Sequence, residues 1–322
     1  MTQIVVTGVA GFIGSTLAQK LLEQNHHVLG IDSITDYYSN RIKEKNIEIC
    51  LQKSNFTFLQ QDLDKINLKE IFENVEYVFH LAGQPGVRKS WGKDFKIYNK
   101  NNIIVTQKIL ESLKCHSTLK KFVLASSSSV YGNQSGILNE EKSLTRPVSP
   151  YGVTKLAAEN LTNLYYENFK IPTISLRYFT VYGPKQRPDM AFAKFLHSII
   201  NDKKISIYGN GEQTRDFTYV DDIVSATINA ATSNPVGKIF NIGGGSVISI
   251  NQIIEIMKTL SNKDFEIEFT NEQKGDVKHT NADITKSKEL LNYTPKTDIK
   301  TGLQKQFDFI KNNQSLYDGI ID

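Results

Sequence analysis

Apolar positions in the first 180 residues gather into short runs: "IVVT" at 4–7, "HVLGID" at 27–32, "FTFLQQD" at 56–62, "YVFHLA" at 77–82, "FVLASS" at 122–127 and "TISLRYF" at 173–179. Runs this short and rich in β-branched residues predict strands buried on both faces. Between them the helical period appears near 12–24, 64–73, 99–114 and 151–169. Strands alternating with helices predict a parallel sheet covered on both sides, a doubly wound α/β arrangement.

The rhythm changes after Phe179. "VYGPKQRPDM" predicts a loop with two prolines, "ISIYGNGEQTRDF" a strand and a turn, "KIFNIGGG" a further strand of the sheet, and a helix near 301–311 precedes a polar tail. The glycines of "NIGGG" are read as a strand-to-helix turn. The expected fold class is therefore α/β, a Rossmann-type doubly wound parallel sheet with a smaller mixed α/β domain. Residues 1–179 with 217–243 are assigned to the first domain. Residues 180–216 and 244–322 are assigned to the second, which closes over the carboxyl ends of the strands, where such sheets bind ligands.

Composition narrows the partners. Of 322 residues, 38 Lys+Arg face 34 Asp+Glu, a formal charge of only +4 with no basic block, which argues against a nucleic-acid or membrane-surface protein. Cys50 and Cys115 lie far apart without CxxC spacing, and the six histidines form no HxxxH pair, so neither a disulfide framework nor a metal site is expected. "MTQIVVTGVAG" has no charged leader, and no apolar run is long enough to span a bilayer. The expectation is a reduced, cytoplasmic protein.

Two motifs carry chemistry. "TGVAGFIG" puts Gly8, Gly11 and Gly14 between the first strand and first helix, where glycines let the backbone approach a pyrophosphate at the positive end of the helix dipole. Its GxxGxxG spacing is weak alone, but its position and Asp32, at the end of the second strand to accept ribose hydroxyls, point to a dinucleotide site. A carboxylate there repels a 2′-phosphate, favouring NAD over NADP. Asp62 reads equally as an acceptor for the adenine amino group or as a strand-end turn residue. The second motif is "SPYGVTKLAAE", with Tyr151 and Lys155 four apart on one helix face. A nearby cation lowers a phenol's pKa from about 10, so the pair can make a phenolate. Any YxxxK alone is more often a packed tyrosine and a solvated lysine.

With "TGVAGFIGS", "HLAGQPGVRKSW", "ASSSSVYG", "SPYGVTKLAAE", "LRYFTVYGPKQRPDMAF", "GEQTRDFTYVDDI" and "GDVKHTNAD" in this order, the chain resembles the extended short-chain dehydrogenase/reductases, specifically the NAD-dependent nucleotide-sugar epimerases. Through "GVRKSW", "RYFTVYGPKQRPDMAF" and "RDFTYVDDI" it is most similar to the UDP-glucuronate 4-epimerase subgroup. The resemblance implies Tyr151 as catalytic base, Lys155 as its activator and nicotinamide-ribose ligand, and Ser127 as the hydroxyl that shares the substrate proton. It extends the cofactor set from Gly8, Gly11, Gly14, Asp32 and Asp62 to Phe12, Ile13, Leu63, Leu81, Ala82, Gly83 and Asn102. Arg187 and Arg215 match positions that hold the nucleotide diphosphate and nucleoside, and Asp276 one near the ribose; Arg88, in "GVRKS", could contact phosphate or sugar. A homodimer through the helices near 99–114 and 151–169 is also implied.

The implied reaction is C4 epimerisation of a UDP-sugar through a 4-keto intermediate, with UDP-glucuronate favoured and UDP-glucose or UDP-N-acetylglucosamine the alternative. A C5 carboxylate beside a C4 ketone is a β-keto acid, and hydroxyls of Ser127, Ser128, Ser129 and Thr180 could hold it out of line for loss of CO2. For Ser126 the preferred role is satisfying strand-end backbone groups. Related decarboxylases and dehydratases have Glu at the place of Ser129, and dehydratases Asp before it; both acids are missing here. Thr180 replaces an Asn of many relatives, and "EQKGD" lacks an Arg that some sugar epimerases have before "GD". A net oxidoreductase and a non-catalytic NAD sensor are the remaining readings, the latter set back by an intact Tyr151 and Lys155.

Overall fold

The structure is a computed structural model that describes residues 3–114 and 116–319; Met1, Thr2 and Cys115 lie outside the described residues. Seven parallel strands form the main sheet: β1 (Gln3–Thr7), β2 (His27–Asp32), β3 (Phe56–Gln60), β4 (Tyr77–His80), β5 (Lys121–Ser127), β6 (Thr173–Tyr178) and, returning from late in the chain, Lys238–Ile242. Their spatial order is β3-β2-β1-β4-β5-β6 and then Lys238–Ile242, so the order reverses between β1 and β4. That reversal opens a crevice at the carboxyl edge.

The uninterrupted apolar runs follow from burial on both faces. Ile4 and Val6 of β1 and Val123 of β5 face one core with Leu17, Leu21, Ile47, Ile223 and Ala226. Val5, Phe122 and Leu124 face the other with Ile109, Leu110 and Ala158. Helices Phe12–Glu23, Asn40–Leu51 and Val220–Thr232 therefore cover one face, and Val105–Ser112 and Pro150–Phe169 the other.

Short strands Thr180–Tyr182, Thr214–Tyr219 and Val247–Ser249 form a three-stranded mixed sheet, and Ile205–Tyr208 pairs in parallel with Ile267–Thr270. The NIGGG glycines wrap the buried carboxylate of Asp216, which accepts from Gly244 N (2.6 Å) and Ala282 N (3.2 Å). The turn they make joins two strands, Lys238–Ile242 and Val247–Ser249, rather than the strand and helix expected of it, and the helix Ile250–Ser261 follows the second strand.

Three further expectations are corrected. The helix expected at 64–73 is a single turn, Leu68–Ile71, because the chain first turns at Asp62, whose carbonyl accepts from Lys65 N. The helix Asn40–Leu51 was not anticipated: its buried face includes Lys43 and Asn46 beside Ile42, Ile47 and Cys50, so no apolar stripe marks it. The segment expected as a helix at 99–114 runs from Phe95 to Ser112 and contains a π-helical stretch, Asn99–Ile104.

Among the described residues no helix is long and apolar enough to cross a membrane. Beneath the carboxyl edge lies a buried ion pair: Arg177 of β6 donates twice to Glu159, at 3.0 and 2.5 Å, with side chains only 3% and 1% exposed. Removing one partner strands the other charge, so Glu159→Ala should lose about 3–5 kcal/mol of unfolding free energy; chemical denaturation of the variant against the parent chain measures it.

Candidate active site

The first cavity is built on the glycine turn. Gly8 adopts φ +71°, and a Cβ there would lie 2.7 Å from Ala82 N, so only glycine lets the β1 and β4 ends meet. The helix Phe12–Glu23 starts at Gly11 without a side-chain cap and with no acid in its first turn, leaving amide donors free for an anion. Asp32 accepts from Ala10 N (3.0 Å) and Ile34 N (2.8 Å), which points its carboxylate into the turn with lone pairs to spare. Gly8, Gly11, Phe12, Ile13, Gly14, Asp32, Asp62, Leu63, Leu81, Ala82, Gly83, Tyr151 and Lys155 all line this cavity. Asp62 lies in the turn after β3, two residues past its end, in an ion pair with Lys100 at 2.7 Å.

Asn102 is buried just behind this wall, inside the π-helical stretch. It accepts from Gln84 N (2.6 Å) and donates to Gln84 O (3.1 Å) and Thr154 Oγ1 (2.9 Å). The π geometry, often found at functional sites, rotates that amide between the β4 loop and the Tyr151 helix. A chain of hydrogen bonds the sequence did not reveal runs beside it. Ala82 N donates to Thr7 Oγ1 (3.2 Å), Thr7 to His80 Nδ1 (2.8 Å), His80 Nε2 to Thr106 Oγ1 (3.0 Å), and Thr106 to Asn102 O (2.7 Å). Satisfying every donor once assigns His80 as the neutral Nε2–H tautomer. Burial, with help from the Lys155 charge, pushes its pKa down to about 3.

A second cavity of about 1100 Å³ adjoins the first and is lined by Arg88, Ser127, Ser128, Ser129, Tyr151, Thr180, Arg187, Arg215 and Asp276. Tyr151 and Arg187 line both cavities. Ser149 caps the helix Pro150–Phe169 by accepting from Gly152 N at 3.1 Å, and Pro150 fills the first position, which needs no N–H. That start sets Tyr151 in the first turn.

Burial holds the Tyr151 hydroxyl above the usual phenol range, while the nearby Ser127 hydroxyl and the Arg187 charge pull the other way. Ser127 Oγ also accepts from Ser129 N (3.1 Å). Lys155 does not bond the phenol here. Its Nζ donates to Ala125 O at 2.8 Å, and burial alone lowers its pKa to about 8. The nearby protein cation whose charge favours the phenolate is thus Arg187, which the sequence placed at the nucleotide. Arg187 is also held by Asp189, at 2.9 and 3.0 Å.

Arg215 lies in the second cavity, its guanidinium fixed by the carbonyls of Thr214 (2.9 Å), Lys278 (3.0 Å) and Val277 (2.5 Å). Among the described residues it has no ion-pair partner. Asp276 instead pairs with Arg88 at 2.7 Å, and Arg88 lies 4.2 Å over the Tyr208 ring. Ser126 donates to the Glu159 carboxylate at 2.9 Å, not to the strand-end backbone groups expected of it. No group of three or more His, Cys, Asp or Glu among the described residues could hold a metal ion.

Comparison with known proteins gives the lineage. Residues 5–306 match the family model described as GDP-mannose 4,6 dehydratase. The chain belongs to that family of extended short-chain dehydrogenase/reductases. It is 42% identical to the UDP-glucuronate 4-epimerase of Thermodesulfobacterium geofontis (strain OPF15), over 99% of each chain. It is also 42% identical to a Bacillus subtilis (strain 168) protein named as the uncharacterized UDP-glucose epimerase YtcB, over 98% of this chain and 99% of that one. In structure it is similar to the Bacillus cereus UDP-glucuronic acid 4-epimerase in complex with UDP-glucuronic acid and NAD, with TM-score 0.94 and 45% identity over 97% of this chain and 100% of that one.

Lys155, 8% exposed, supplies a pH test. Its folded pKa lies below the unfolded value, so between the two the unfolded chain binds more protons and stability rises with pH. In protein stripped of small molecules, the stability of the parent chain relative to Lys155→Met should rise by about 2 kcal/mol from pH 7 to 9.5, at about 1.4 kcal/mol per unit above the folded pKa. Urea melts at the two pH values read it; a constant difference would contradict a buried ammonium.

Proposed function

We propose that the protein is an NAD-dependent UDP-glucuronate 4-epimerase that forms UDP-galacturonate. The observation that carries this is the Tyr151 hydroxyl on the wall shared by a dinucleotide-shaped cavity and a larger polar one, beside Ser127 and within the field of Arg187. The glycine turn, the uncapped helix N-terminus and Asp32 fit NAD. When bound, NAD supplies the acceptor and later the donor of the C4 hydride.

The chain's own residues handle protons, charge and position. Tyr151 takes the proton from the C4 hydroxyl as that carbon becomes a ketone, and Ser127, beside the phenol, shares it. Burial opposes a phenolate, so deprotonation needs positive charge beside it. Arg187 supplies part of it, and Lys155 supplies more only if its ammonium turns from the Ala125 carbonyl. A bound oxidised nicotinamide is a further cation, which ties the proton step to a loaded enzyme.

Inversion requires the ketone to present its other face while the nucleotide stays put. Arg215, fixed by three carbonyls with its charge uncommitted, suits the diphosphate, to which a guanidinium donates in a directional fork. Arg88 and Asp276 face each other across the same cavity and would frame the nucleoside. The hydroxyls of Ser127, Ser128, Ser129 and Thr180 suit a sugar carboxylate. They hold it without supplying an acid, which disfavours elimination and decarboxylation.

A homodimer and a cytoplasmic location belong to the same reading. Ile97, Ile104, Val153, Leu164 and Phe169, on the segments 95–112 and 150–169, are exposed apolar side chains that a second copy would cover. Light scattering should give twice the chain mass, and Leu164→Glu should shift the mass toward monomer; a monomeric parent chain would reject the dimer.

Incubation with UDP-glucuronate, followed by NMR of the sugar C4 configuration, should yield UDP-galacturonate, with UDP-glucose turned over far more slowly. The reverse preference would move the assignment to a neutral-sugar epimerase. Tyr151→Phe should lower turnover by at least about 100-fold with NAD still bound; an active variant would overturn the mechanism.

A further inference from the structure

Three loops at the carboxyl edge meet at one side chain the mechanism does not use. Ser33, Thr35, Tyr37 and Tyr38, after β2, line the first cavity, and Tyr37 alone among them also lines the second. The Tyr37 hydroxyl donates to Asp189 Oδ2 at 3.4 Å, in the loop after Thr180–Tyr182. Asp189 is itself clamped by both donors of Arg187. In the loop after β4, Gly86 has φ +99°, and a Cβ on it would collide with the Tyr37 hydroxyl, while Lys89 Nζ sits 5.2 Å over the Tyr37 ring.

The segment that carries Tyr37 is under strain. Ile34 has φ +44°, a left-handed conformation that a β-branched residue adopts only when its surroundings impose it. Asp32 holds one end through Ile34 N. Lys43 holds the middle, donating to Thr35 O with its ammonium 4.7 Å from the Tyr38 ring. At the far end, Tyr37 ties to the opposite wall through one long hydrogen bond, to Asp189. A strained segment that meets the opposite wall through so long a hydrogen bond can open for loading and close afterwards.

We propose that Tyr37 is a latch that keeps the dinucleotide in its cavity. The proposal rests on the NAD-dependent epimerase reading and deepens it. Epimerisation is redox-neutral: the hydride removed from C4 returns to C4, so the dinucleotide need not leave between turnovers. Its escape in reduced form would strand the enzyme with a ketone it could not reduce. A tie across the cavity answers that requirement, and Tyr37 is a positioning residue rather than a catalytic one.

The test follows NAD release from purified holoenzyme, trapping freed NAD with an alcohol dehydrogenase and ethanol and reading absorbance at 340 nm. Tyr37→Ala should release NAD at least about tenfold faster than the parent chain, the equivalent of about 1.4 kcal/mol. Tyr37→Phe, which keeps the ring and loses the Asp189 bond, should release it severalfold faster. Epimerase activity that Tyr37→Ala loses on dilution should return on adding NAD, which would not happen if Tyr37 were only part of the sugar wall. Parent-like release from Tyr37→Ala overturns the latch. If Tyr37→Ala does not fold, parent-like release from Tyr37→Phe does so. A parent protein that never holds NAD would instead reject the cofactor reading itself.

Discussion

Burying a phenol and an ammonium together at the edge of a sheet is the constraint on which the rest of this structure depends. Low polarity pushes both groups toward neutrality, raising the pKa of Tyr151 and lowering that of Lys155 to about 8. Left alone, the pair is therefore poor at making a phenolate. The surroundings correct the imbalance in part, through the Ser127 hydroxyl and the Arg187 charge. A site that lacks one cation until its cofactor arrives has a built-in order of events: load first, deprotonate afterwards.

The architecture supports that constraint from below and from the sides. Below, the Arg177–Glu159 pair and the Ser126 bond tie β5 and β6 to the helix bearing Tyr151. To the side, the hydrogen-bond chain from Ala82 to Asn102 joins the β1 and β4 ends to the π-helical stretch. Each link is a neutral group with its donor and acceptor used. That chain adds no charge that would compete with substrate or cofactor.

Much of this was legible in the chain. Six strand positions of the main sheet, the glycine turn, Asp32 and the Tyr151–Lys155 spacing all followed from local pattern, because burial on both faces leaves continuous apolar runs and a tight phosphate turn demands glycine. The helix Asn40–Leu51 was not legible, since Lys43 and Asn46 share its buried face with apolar residues. Nor was the partner of Tyr37, which lies 152 residues away with no motif to join them. His80 read as a strand residue because its two partners come from other elements.

By itself the sequence determined the fold class, the glycine turn and the Tyr151–Lys155 spacing, for these depend on periodicity, backbone freedom and spacing within a single helix. Tertiary structure decided which charges face which groups. It aimed Lys155 at the Ala125 carbonyl, set Arg187 beside Tyr151, fixed Arg215 on three backbone carbonyls and joined three distant loops at Tyr37. The physical reason is that electrostatic fields and hydrogen bonds depend on distance and burial in space, which separation along a chain does not encode.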